Sequence, residues 1–464
     1  MSKNIKFGLG GWREIIGEEF TRSNVQKIAY ATLDYIDDSG VVIGYDRRFL
    51  SKNAAQWVSE VLVAYGKKVY LINKAIPTPV VMYATREKNS QVGFAITASH
   101  NPATYNGIKL FEHGGVDASK SFTDKISEAA NKAKDIKILS LKIAKEKGLF
   151  YEINPTNEYV DSILDQLDKK EIIKNNYRVL LDPMYGVSKN SMLTLLYACR
   201  CEVDVINERH DALFGGQLPS PSLDTLSGMQ DIVVNRGYDL GVATDGDADR
   251  VGIVDEKGNF IHPSILIALL YKYLLEDRKE KGPAVRNLTT SHLIDAIAEK
   301  HGEEVIETKV GFKHISFAME KHNALIGGES SGGLTIRNHI KGKDGIFASL
   351  LVLEMLAHSK DTMSEAVNKL FSEYGEFHTF EKSYELKSLD KEEVNKKVLD
   401  YIDNNKESIS RYSDFDGLKI YFKDDSWVVV RPSGTEPLIR IISESSSKNK
   451  AKKNVMYFEK LIKA

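Results

Sequence analysis

Cysteine is almost absent from this chain, which limits what can organise its fold. Only Cys199 and Cys201 occur among 464 residues. Their Cys-x-Cys spacing could in principle hold a metal, but no further cysteine or nearby histidine completes a zinc ligand set. We therefore expect both thiols to be reduced and structural.

An excess of charge of one sign is also lacking. The 63 Lys and Arg residues nearly balance the 65 Asp and Glu residues, which gives a formal net charge of -2. This balance does not favour nucleic acid or an anionic membrane as a partner, so any anion must be recognised locally. No apolar run approaches the ~18 residues of a membrane span, and the first residues lack the apolar segment of a signal peptide. The expected compartment is the cytoplasm.

The length of the chain predicts several domains, about three or four at ~100–200 residues each. Short apolar strands alternate with helix-like stretches, a pattern typical of α/β units with mostly parallel or mixed sheets. The charged stretch 122–147 predicts an exposed helix followed by a link. We place the domain boundaries to give residues 1–154, 155–255, 256–375 and 376–464.

A serine follows one of the predicted strands on a tight loop. Residues 92–96 (VGFAI) form a short apolar run typical of a buried strand, and residues 97–102 (TASHNP) end it, because proline and the residue before it break regular structure. Ser99 would then lie at the carboxyl end of a strand, where open α/β sheets bind ligands. Taken alone, such a serine is more often a capping serine in a turn.

Asp245, Asp247 and Asp249 are the strongest cluster of charge in the chain. They follow a predicted strand at 240–243, which repeats the arrangement of the serine loop. Three carboxylates at alternate positions repel one another, and a hard divalent cation removes that cost. The glycine and closing glutamate of a calcium EF-hand loop are misplaced, so Mg²⁺ is favoured, with Arg250 as a neighbouring anion-binding group. A solvated acidic turn is the alternative.

Glycines surround one acid and two hydroxyls at residues 327–333 (GGESSGG). This composition suits a neutral polyol, since Glu329 can accept hydrogen bonds from sugar hydroxyls and Ser331 can donate or accept. A flexible hairpin is the alternative. Further on, His339 and Lys343 could handle protons if burial or a neighbouring cation lowered the lysine pKa, although surface lysines are commoner.

Other cationic groups stand at turns. A glycine-rich turn near the amino terminus delivers Arg13, and Lys109 follows the serine loop on a predicted strand, where a solvated lysine is the alternative. The predicted strand-to-helix junction at 308–314 includes Lys313. Residues 431–440 (RPSGTEPLIR) combine two arginines, two hydroxyls and an unobstructed glycine amide, a donor set that suits a phosphate dianion. The candidate donors there are Arg431, Ser433, Gly434, Thr435 and Arg440.

Four of these segments, 97–102, 245–250, 328–332 and 431–437, occur in the order seen in the α-D-phosphohexomutases, and the set resembles that family across the whole chain. The resemblance implies three similar α/β domains with mixed sheets plus a smaller C-terminal α+β domain, arranged around a central cleft to which each contributes one loop. It also implies that Ser99 carries a phosphoryl group and that the three aspartates hold Mg²⁺ against it.

The reaction that the resemblance implies is interconversion of hexose 1-phosphate and hexose 6-phosphate, with glucose 1,6-bisphosphate as intermediate and activator. The implied metal ligands are Ser99, Asp245, Asp247 and Asp249. The implied catalytic residues are Ser99, His100, Lys109, Arg13 and Lys343, of which Lys343 is the expected base. The implied substrate-binding residues are Glu329, Ser331, His339, Lys313, Arg250, Arg431, Ser433, Gly434, Thr435 and Arg440.

The identity of the hexose is a finer prediction. The serine-rich sugar loop looks more like glucose-type phosphoglucomutases than the phosphoglucosamine branch, and phosphomannomutase activity stays open. One departure is Leu9-Gly10, where the family usually carries hydroxyl or acidic residues before glycine. A catalytically silent sugar-phosphate-binding homologue and a metal-dependent phosphatase are the alternatives from other functional classes.

Overall fold

Four β-sheets follow one another along the chain, and we call the groups of elements around them the first, second, third and last units. The computed structural model describes residues 4–385, 391–432 and 438–463. Within these ranges, no helix is both long and apolar enough to cross a membrane.

The first unit is built on a mixed sheet of seven strands in the order β1-β5-β4-β2-β3-β7, with β6 paired to β5. The strands β2, β3, β4 and β7 run parallel, whereas β1 and β5 are antiparallel to their neighbours. The strands are β1 (Trp12–Ile15), β2 (Val41–Tyr45), β3 (Val69–Ile72), β4 (Val92–Ile96), β5 (Tyr105–Glu112), β6 (Val116–Asp117) and β7 (Phe150–Ile153). The helices are α1 (Arg22–Ala31), α2 (Ser51–Ala64), α3 (Thr78–Glu87), α4 (Lys120–Lys132) and α5 (Leu141–Glu146), with a 3₁₀ turn at Leu33–Tyr35.

The second unit has a mixed sheet in the order β12-β11-β10-β8-β9. Its strands are β8 (Arg178–Asp182), β9 (Glu202–Val205), β10 (Leu240–Thr244), β11 (Val251–Asp255) and β12 (Phe260–Ile261). Its helices are α6 (Thr156–Leu164), α7 (Lys169–Ile173), α8 (Lys189–Ala198) and α9 (Ser227–Arg236), with a 3₁₀ turn at Phe214–Gly216.

The third unit has the strand order β14-β13-β15-β16, in which only the last pairing is antiparallel. Its strands are β13 (Ala284–Asn287), β14 (Val305–Thr308), β15 (Ile326–Gly328) and β16 (Leu334–Ile336). Its helices are α10 (Pro263–Glu276), α11 (Leu293–His301), α12 (Phe312–His322), α13 (Gly345–Ser359) and α14 (Met363–Tyr374).

The last unit has an antiparallel sheet in the order β17-β21-β20-β19-β18. Its strands are β17 (His378–Glu385), β18 (Ile409–Ser413), β19 (Leu418–Phe422), β20 (Trp427–Pro432) and β21 (Leu438–Ser445). Its helices are α15 (Lys391–Asn404) and α16 (Lys448–Lys463). Three α/β units with mixed sheets and a C-terminal unit with an antiparallel sheet confirm the predicted fold class.

Local sequence explains the elements that carry the candidate site. β4 (VGFAI) is buried along its whole length, as expected for a strand between two parallel or antiparallel neighbours inside a sheet. Asp344 is the N-cap of α13, and its carboxylate accepts hydrogen bonds from the amides of Ile346 and Phe347, which would otherwise be unpaired donors. The charged stretch 122–147 forms two helices, α4 and α5, and not one helix with a link.

The hydrophobic core is divided into clusters of buried residues, and this division shows how the units that carry the site are joined. One continuous cluster of buried residues includes side chains of α3 in the first unit and runs through the second and third units. The last unit has its own cluster between its sheet and helices. A small cluster that includes Leu288 and Trp427 lies where the third and last units meet. The second and third units therefore share a core that reaches the first unit, most of whose buried residues form a cluster of their own, while the last unit is attached through a separate contact.

The two cysteines are free and buried, and burial raises the pKa of Cys199 to about 11 and that of Cys201 to about 12. At neutral pH both are protonated thiols, and a thiol without its thiolate form is a poor nucleophile and metal ligand. This confirms the prediction that they are reduced and structural.

Candidate active site

Ser99 lies on the turn after β4 and contacts the second unit directly. Its φ is +52°, a left-handed conformation that residues other than glycine seldom adopt. Its hydroxyl donates a hydrogen bond to Asp245 Oδ2 at 2.8 Å, and Nδ1 of His100 lies 3.3 Å from the same Oγ. The hydroxyl is therefore placed between an imidazole from its own loop and a carboxylate from another unit.

The turn is held in this conformation by Arg48, a buried residue for which we made no functional prediction. The guanidinium donates to four backbone carbonyl oxygens at 2.6, 2.6, 2.8 and 3.0 Å, those of Ser99, Asn101, Pro102 and Tyr105 respectively. Four acceptors converging on one planar donor determine where the backbone of the serine loop can run. In the sequence, Arg48 is one of two adjacent arginines close behind a buried strand. Such pairs are too common to indicate a function.

Asp46 supports the same loop from the end of β2. Its Oδ2 accepts a hydrogen bond from Thr97 Oγ1 at 2.6 Å, and Thr97 Oγ1 accepts one from the amide of Ser99 at 2.8 Å. Asp46 Oδ1 accepts from the amide of Arg48 at 2.9 Å. Since β2 and β4 are parallel neighbours, their carboxyl ends meet at one edge of the sheet, which brings these groups together.

The three aspartates are buried, and each has one carboxylate oxygen held by the protein. Asp245 Oδ1 accepts from the amides of Asp249 and Arg250 at 3.0 and 3.1 Å. Asp247 Oδ2 accepts from Lys109 Nζ and from Thr78 Oγ1, both at 2.6 Å. Asp249 Oδ2 lies 2.6 Å from Lys109 Nζ and 2.8 Å from Lys343 Nζ.

The other carboxylate oxygens of the three aspartates together form a set of ligands that fits a cation. Asp245 Oδ2 faces Ser99, whereas Asp247 Oδ1 and Asp249 Oδ1 are buried without a hydrogen-bond partner in the described part of the chain. One carboxylate oxygen from each residue lies within 4.8 Å of the others. Buried carboxylate oxygens without partners are costly, and a hard divalent cation such as Mg²⁺ would satisfy them. The residues present therefore fit the metal that the sequence predicted.

Close approach of the two loops depends on a glycine. A Cβ atom at Gly246 would lie 2.8 Å from the carbonyl oxygen of Ser99. Any side chain at this position would push the aspartate loop away from the serine loop, and glycine alone avoids that contact.

Two lysines compensate the charge of the aspartates unequally. Burial alone would lower the pKa of Lys109, but Asp247 and Asp249 outweigh it and hold that pKa above its ordinary value. Burial and the neighbouring carboxylates hold the pKa of Asp245 well above its ordinary range, whereas Lys109 and Lys343 overcome burial and hold that of Asp249 well below it. Asp245, the carboxylate that faces Ser99, is thus the one that the protein's own cations stabilise least.

Further cationic groups surround the serine loop. Arg13 Nη1 donates to the side chain of Asn101 at 2.6 Å, which ties the amino-terminal glycine turn to the serine loop. Arg250 Nε lies 3.9 Å from Asp249 Oδ1. Burial and the positive charges of Arg250 and Arg13 hold the pKa of His100 well below its ordinary value. His100 is therefore neutral at physiological pH and can accept as well as donate a hydrogen bond.

The sugar loop joins β15 to β16 as a hairpin. Glu329 is buried, and its Oε1 accepts hydrogen bonds from the amide of Gly311 at 3.0 Å and from Asn287 Nδ2 at 3.3 Å. Ser331 is exposed, and its hydroxyl lies 3.4 Å from Glu329 Oε2. The structure therefore brings a carboxylate and a hydroxyl together at one end of the third sheet.

One of the predicted substrate-binding residues, His339, has its partners inside the protein. Both ring nitrogens of His339 contact protein groups, with Nε2 at 2.7 Å from Asp344 Oδ2 and Nδ1 at 3.2 Å from Gln166 Nε2, and its ring stacks on Phe347. These contacts leave no ring nitrogen for a sugar, so the placement of His339 supports a role in holding the turn that carries Lys343.

Lys313 lies beside charged groups of the first unit, one of which, Asp117, is also an electrostatic neighbour of Glu329. Its electrostatic neighbours are Lys120, Asp117 and Asp124, and burial together with Lys120 lowers its pKa. The strand-to-helix junction was predicted, but the direction of its side chains depends on how α12 packs against the first unit.

In the last unit, Arg431 and Arg440 face each other in register on β20 and β21, on either side of the predicted phosphate loop. Arg431 Nε lies 3.1 Å from Asp416 Oδ2. Ser433, Gly434 and Thr435 lie outside the described residues, so their predicted part in phosphate binding stays a prediction.

Comparison with known proteins places this geometry in a family. Four models describing the α/β/α domains I, II and III and the C-terminal domain of phosphoglucomutase/phosphomannomutase match residues 4–137, 157–258, 262–374 and 386–460. The chain therefore belongs to the α-D-phosphohexomutase family, the class of isomerases that transfer a phosphoryl group within a hexose phosphate.

Particular relatives carry different substrate names. The chain is 33% identical over 451 residues to a phosphoglucomutase/phosphomannomutase of Thermococcus kodakarensis, with 96% of each chain covered. It is 32% identical over 462 residues to a phosphoglucosamine/phosphogalactosamine mutase of Sulfurisphaera tokodaii, with 98% of each covered. The crystal structure of a protein from Thermus thermophilus matches with a TM-score of 0.86 and 27% identity, covering 100% of both chains. A phosphohexomutase is thus supported, and the choice of glucose is not.

The network around Arg48 generates a first prediction. In Arg48→Lys, one ammonium nitrogen cannot reach four carbonyl oxygens, and a displacement of the reacting oxygen by about 1 Å costs roughly 100-fold in rate. We expect kcat for hexose phosphate isomerisation to fall by about that factor while the circular dichroism spectrum is retained. Arg22→Lys, an exposed arginine paired with Glu60, is the matched control. Equal kcat in the two variants would contradict the role given to Arg48.

The donor set of the aspartates generates a second prediction, which concerns binding and not turnover. In Asp247→Asn, the negative charge of the carboxylate that carries Oδ1 is removed. We therefore expect Mn²⁺ and Mg²⁺ to bind at least about tenfold more weakly, as measured by isothermal titration calorimetry. Asp224→Asn, at an exposed position on another loop, should bind like the wild type. Unchanged affinity in Asp247→Asn would show that the metal binds elsewhere.

Proposed function

We propose that this phosphohexomutase interconverts hexose 1-phosphate and hexose 6-phosphate through a phosphoserine at Ser99 and a bound hexose 1,6-bisphosphate. The observation that supports the proposal most directly is the 2.8 Å hydrogen bond from Ser99 Oγ to Asp245 Oδ2, beside carboxylate oxygens that fit Mg²⁺. This arrangement places the oxygen that would carry the phosphoryl group at the point where its charge can be compensated.

The proposed chemistry is a balanced exchange of phosphoryl groups. The bond between Ser99 Oγ and phosphorus breaks as a bond forms between phosphorus and the free hydroxyl oxygen of the sugar, and the proton of that hydroxyl ends on Ser99 Oγ. After the bisphosphate turns over, the bond between its other phosphorus and the sugar oxygen breaks as a bond to Ser99 Oγ forms, and the proton of Ser99 Oγ passes to that sugar oxygen. Mg²⁺, when bound, would offset charge on the transferring group, since such transition states depend on positioning and electrostatics.

The chain's own residues would bind and orient the substrate around this exchange. Glu329 would accept hydrogen bonds from sugar hydroxyls, and Arg431 with Arg440 would hold the phosphate that does not react. His100, neutral and 3.3 Å from Ser99 Oγ, can exchange a hydrogen bond with the reacting hydroxyl. Lys343, which we proposed as the base, contacts Asp249 as an ammonium group, and an ammonium group has no lone pair. It would therefore have to give up one of its own protons before it could accept the proton of the sugar hydroxyl.

Intact-mass spectrometry tests the phosphoserine directly. We expect the freshly purified protein to carry a phosphate-sized addition that disappears in Ser99→Ala, together with loss of isomerisation. Incubation of phosphate-free wild type with glucose 1,6-bisphosphate should restore the addition, because the bisphosphate can donate its phosphoryl group to Ser99. Release of inorganic phosphate without an isomer would instead favour a phosphatase, and sugar-phosphate binding without turnover would favour a silent homologue.

For the hexose, we propose glucose 1-phosphate as the first substrate, with glucosamine 1-phosphate as the second candidate because of the name of the Sulfurisphaera relative. A carboxylate such as Glu329 that reads neighbouring ring hydroxyls is indifferent to the substituent at C2. We therefore expect kcat/KM for glucose, mannose and glucosamine 1-phosphates to lie within about 100-fold of one another, since small differences in a pocket discriminate only modestly. A preference for one sugar by several further orders of magnitude would require a contact specific to C2.

A further inference from the structure

The last unit meets the third unit along the end of β14. The amide of Val310 donates a hydrogen bond to Asp416 Oδ2 at 2.8 Å. Next to this contact, Lys309 Nζ lies 5.2 Å from the centroid of the Phe415 ring, within the range of a cation–π interaction. The turn at 415–417 is thus docked on residues 309 and 310 by one hydrogen bond and one ring contact.

The same carboxylate oxygen also faces the arginine proposed to hold phosphate. Arg431 Nε lies 3.1 Å from Asp416 Oδ2, and both side chains are partly buried. The turn fits closely against the strand that carries this arginine, because a Cβ atom at Gly417, whose φ is +89°, would lie 2.9 Å from the carbonyl oxygen of Val430. Asp416 therefore contacts the phosphate-binding strand and the third unit at once.

The next amide along the chain leads to the sugar loop. The amide of Gly311 donates to Glu329 Oε1 at 3.0 Å, directly after the amide of Val310 has donated to Asp416. Two consecutive backbone amides therefore connect the carboxylate that faces Arg431 with the carboxylate proposed to read the sugar. Neighbouring amides belong to two planar peptide units joined at one Cα atom, so the two carboxylates that they bind are held a short distance apart.

We propose that Asp416 is a positioning residue that sets the distance between the phosphate-binding group Arg431 and the sugar-binding group Glu329. This inference rests on the proposed function. A hexose phosphate must reach both groups together, and the bisphosphate must be retained while it turns over. Asp416 fixes the last unit against the sugar loop in the arrangement that meets both requirements, and it does so without touching the reacting atoms.

Asp416→Asn tests this role because the amide oxygen can still accept from Val310 while the charge opposite Arg431 is lost. We expect KM for glucose 1-phosphate to rise about tenfold with little change in kcat, since charge-assisted contacts are roughly twice as strong as neutral ones. We also expect more glucose 1,6-bisphosphate to escape into solution per turnover, measured by coupled assay or mass spectrometry. Asp416→Glu, which keeps the charge, should recover part of both effects.

Asp414→Asn is the matched control, because Asp414 is exposed directly before the same turn and its substitution removes the same charge. Wild-type KM and bisphosphate retention in Asp416→Asn would overturn the inference. Equal losses in Asp416→Asn and Asp416→Glu, accompanied by a lower melting temperature, would show a merely structural role and would also overturn it. Absence of turnover in the wild type would instead count against the proposed function, so the two failures are distinguishable.

Discussion

Burial of three carboxylates next to one serine hydroxyl is the constraint on which the rest of this structure depends. Such a cluster is stable only if opposite charge reaches it, and the chain supplies Lys109 from the first unit and Lys343 from the third. The two lysines bind Asp247 and Asp249 and leave Asp245 less compensated. The remaining charge and the carboxylate oxygens without partners fit a bound cation beside Ser99.

The same requirement explains how the units are joined. Ser99 and Lys109 belong to the first unit, the aspartates to the second and Lys343 to the third, so the cluster is complete only when these units keep a fixed arrangement. One continuous hydrophobic cluster includes side chains from all three of these units. The last unit is attached differently, through a small apolar cluster and polar contacts such as that of Lys419 Nζ with the carbonyl oxygen of Leu288 at 2.7 Å. A limited interface of this kind is typical of units that can move relative to one another.

Residues within one loop were predictable because their chemistry is local. The spacing of Asp245, Asp247 and Asp249 predicted a cation site, and the strand before Ser99 predicted a tight loop at a sheet edge. Glycines at 327–333 predicted a loop that binds a polyol, with a flexible hairpin as the alternative, and the structure shows a hairpin with Glu329 buried at its start. None of these interpretations needed to know which other loop lies opposite.

Positions that depend on packing could not be predicted in this way. Arg48 is one of two adjacent arginines in the sequence, and only the parallel pairing of β2 with β4 directs it to the serine loop. His339 has the residue type of a proton carrier, yet packing against Phe347 and Asp344 gives it internal partners. The sequence by itself determined the chemical groups available and their order along the chain, because residue type and spacing are local properties. The tertiary structure decided which groups meet, since distances between side chains far apart in sequence follow from sheet topology and from the packing of the units.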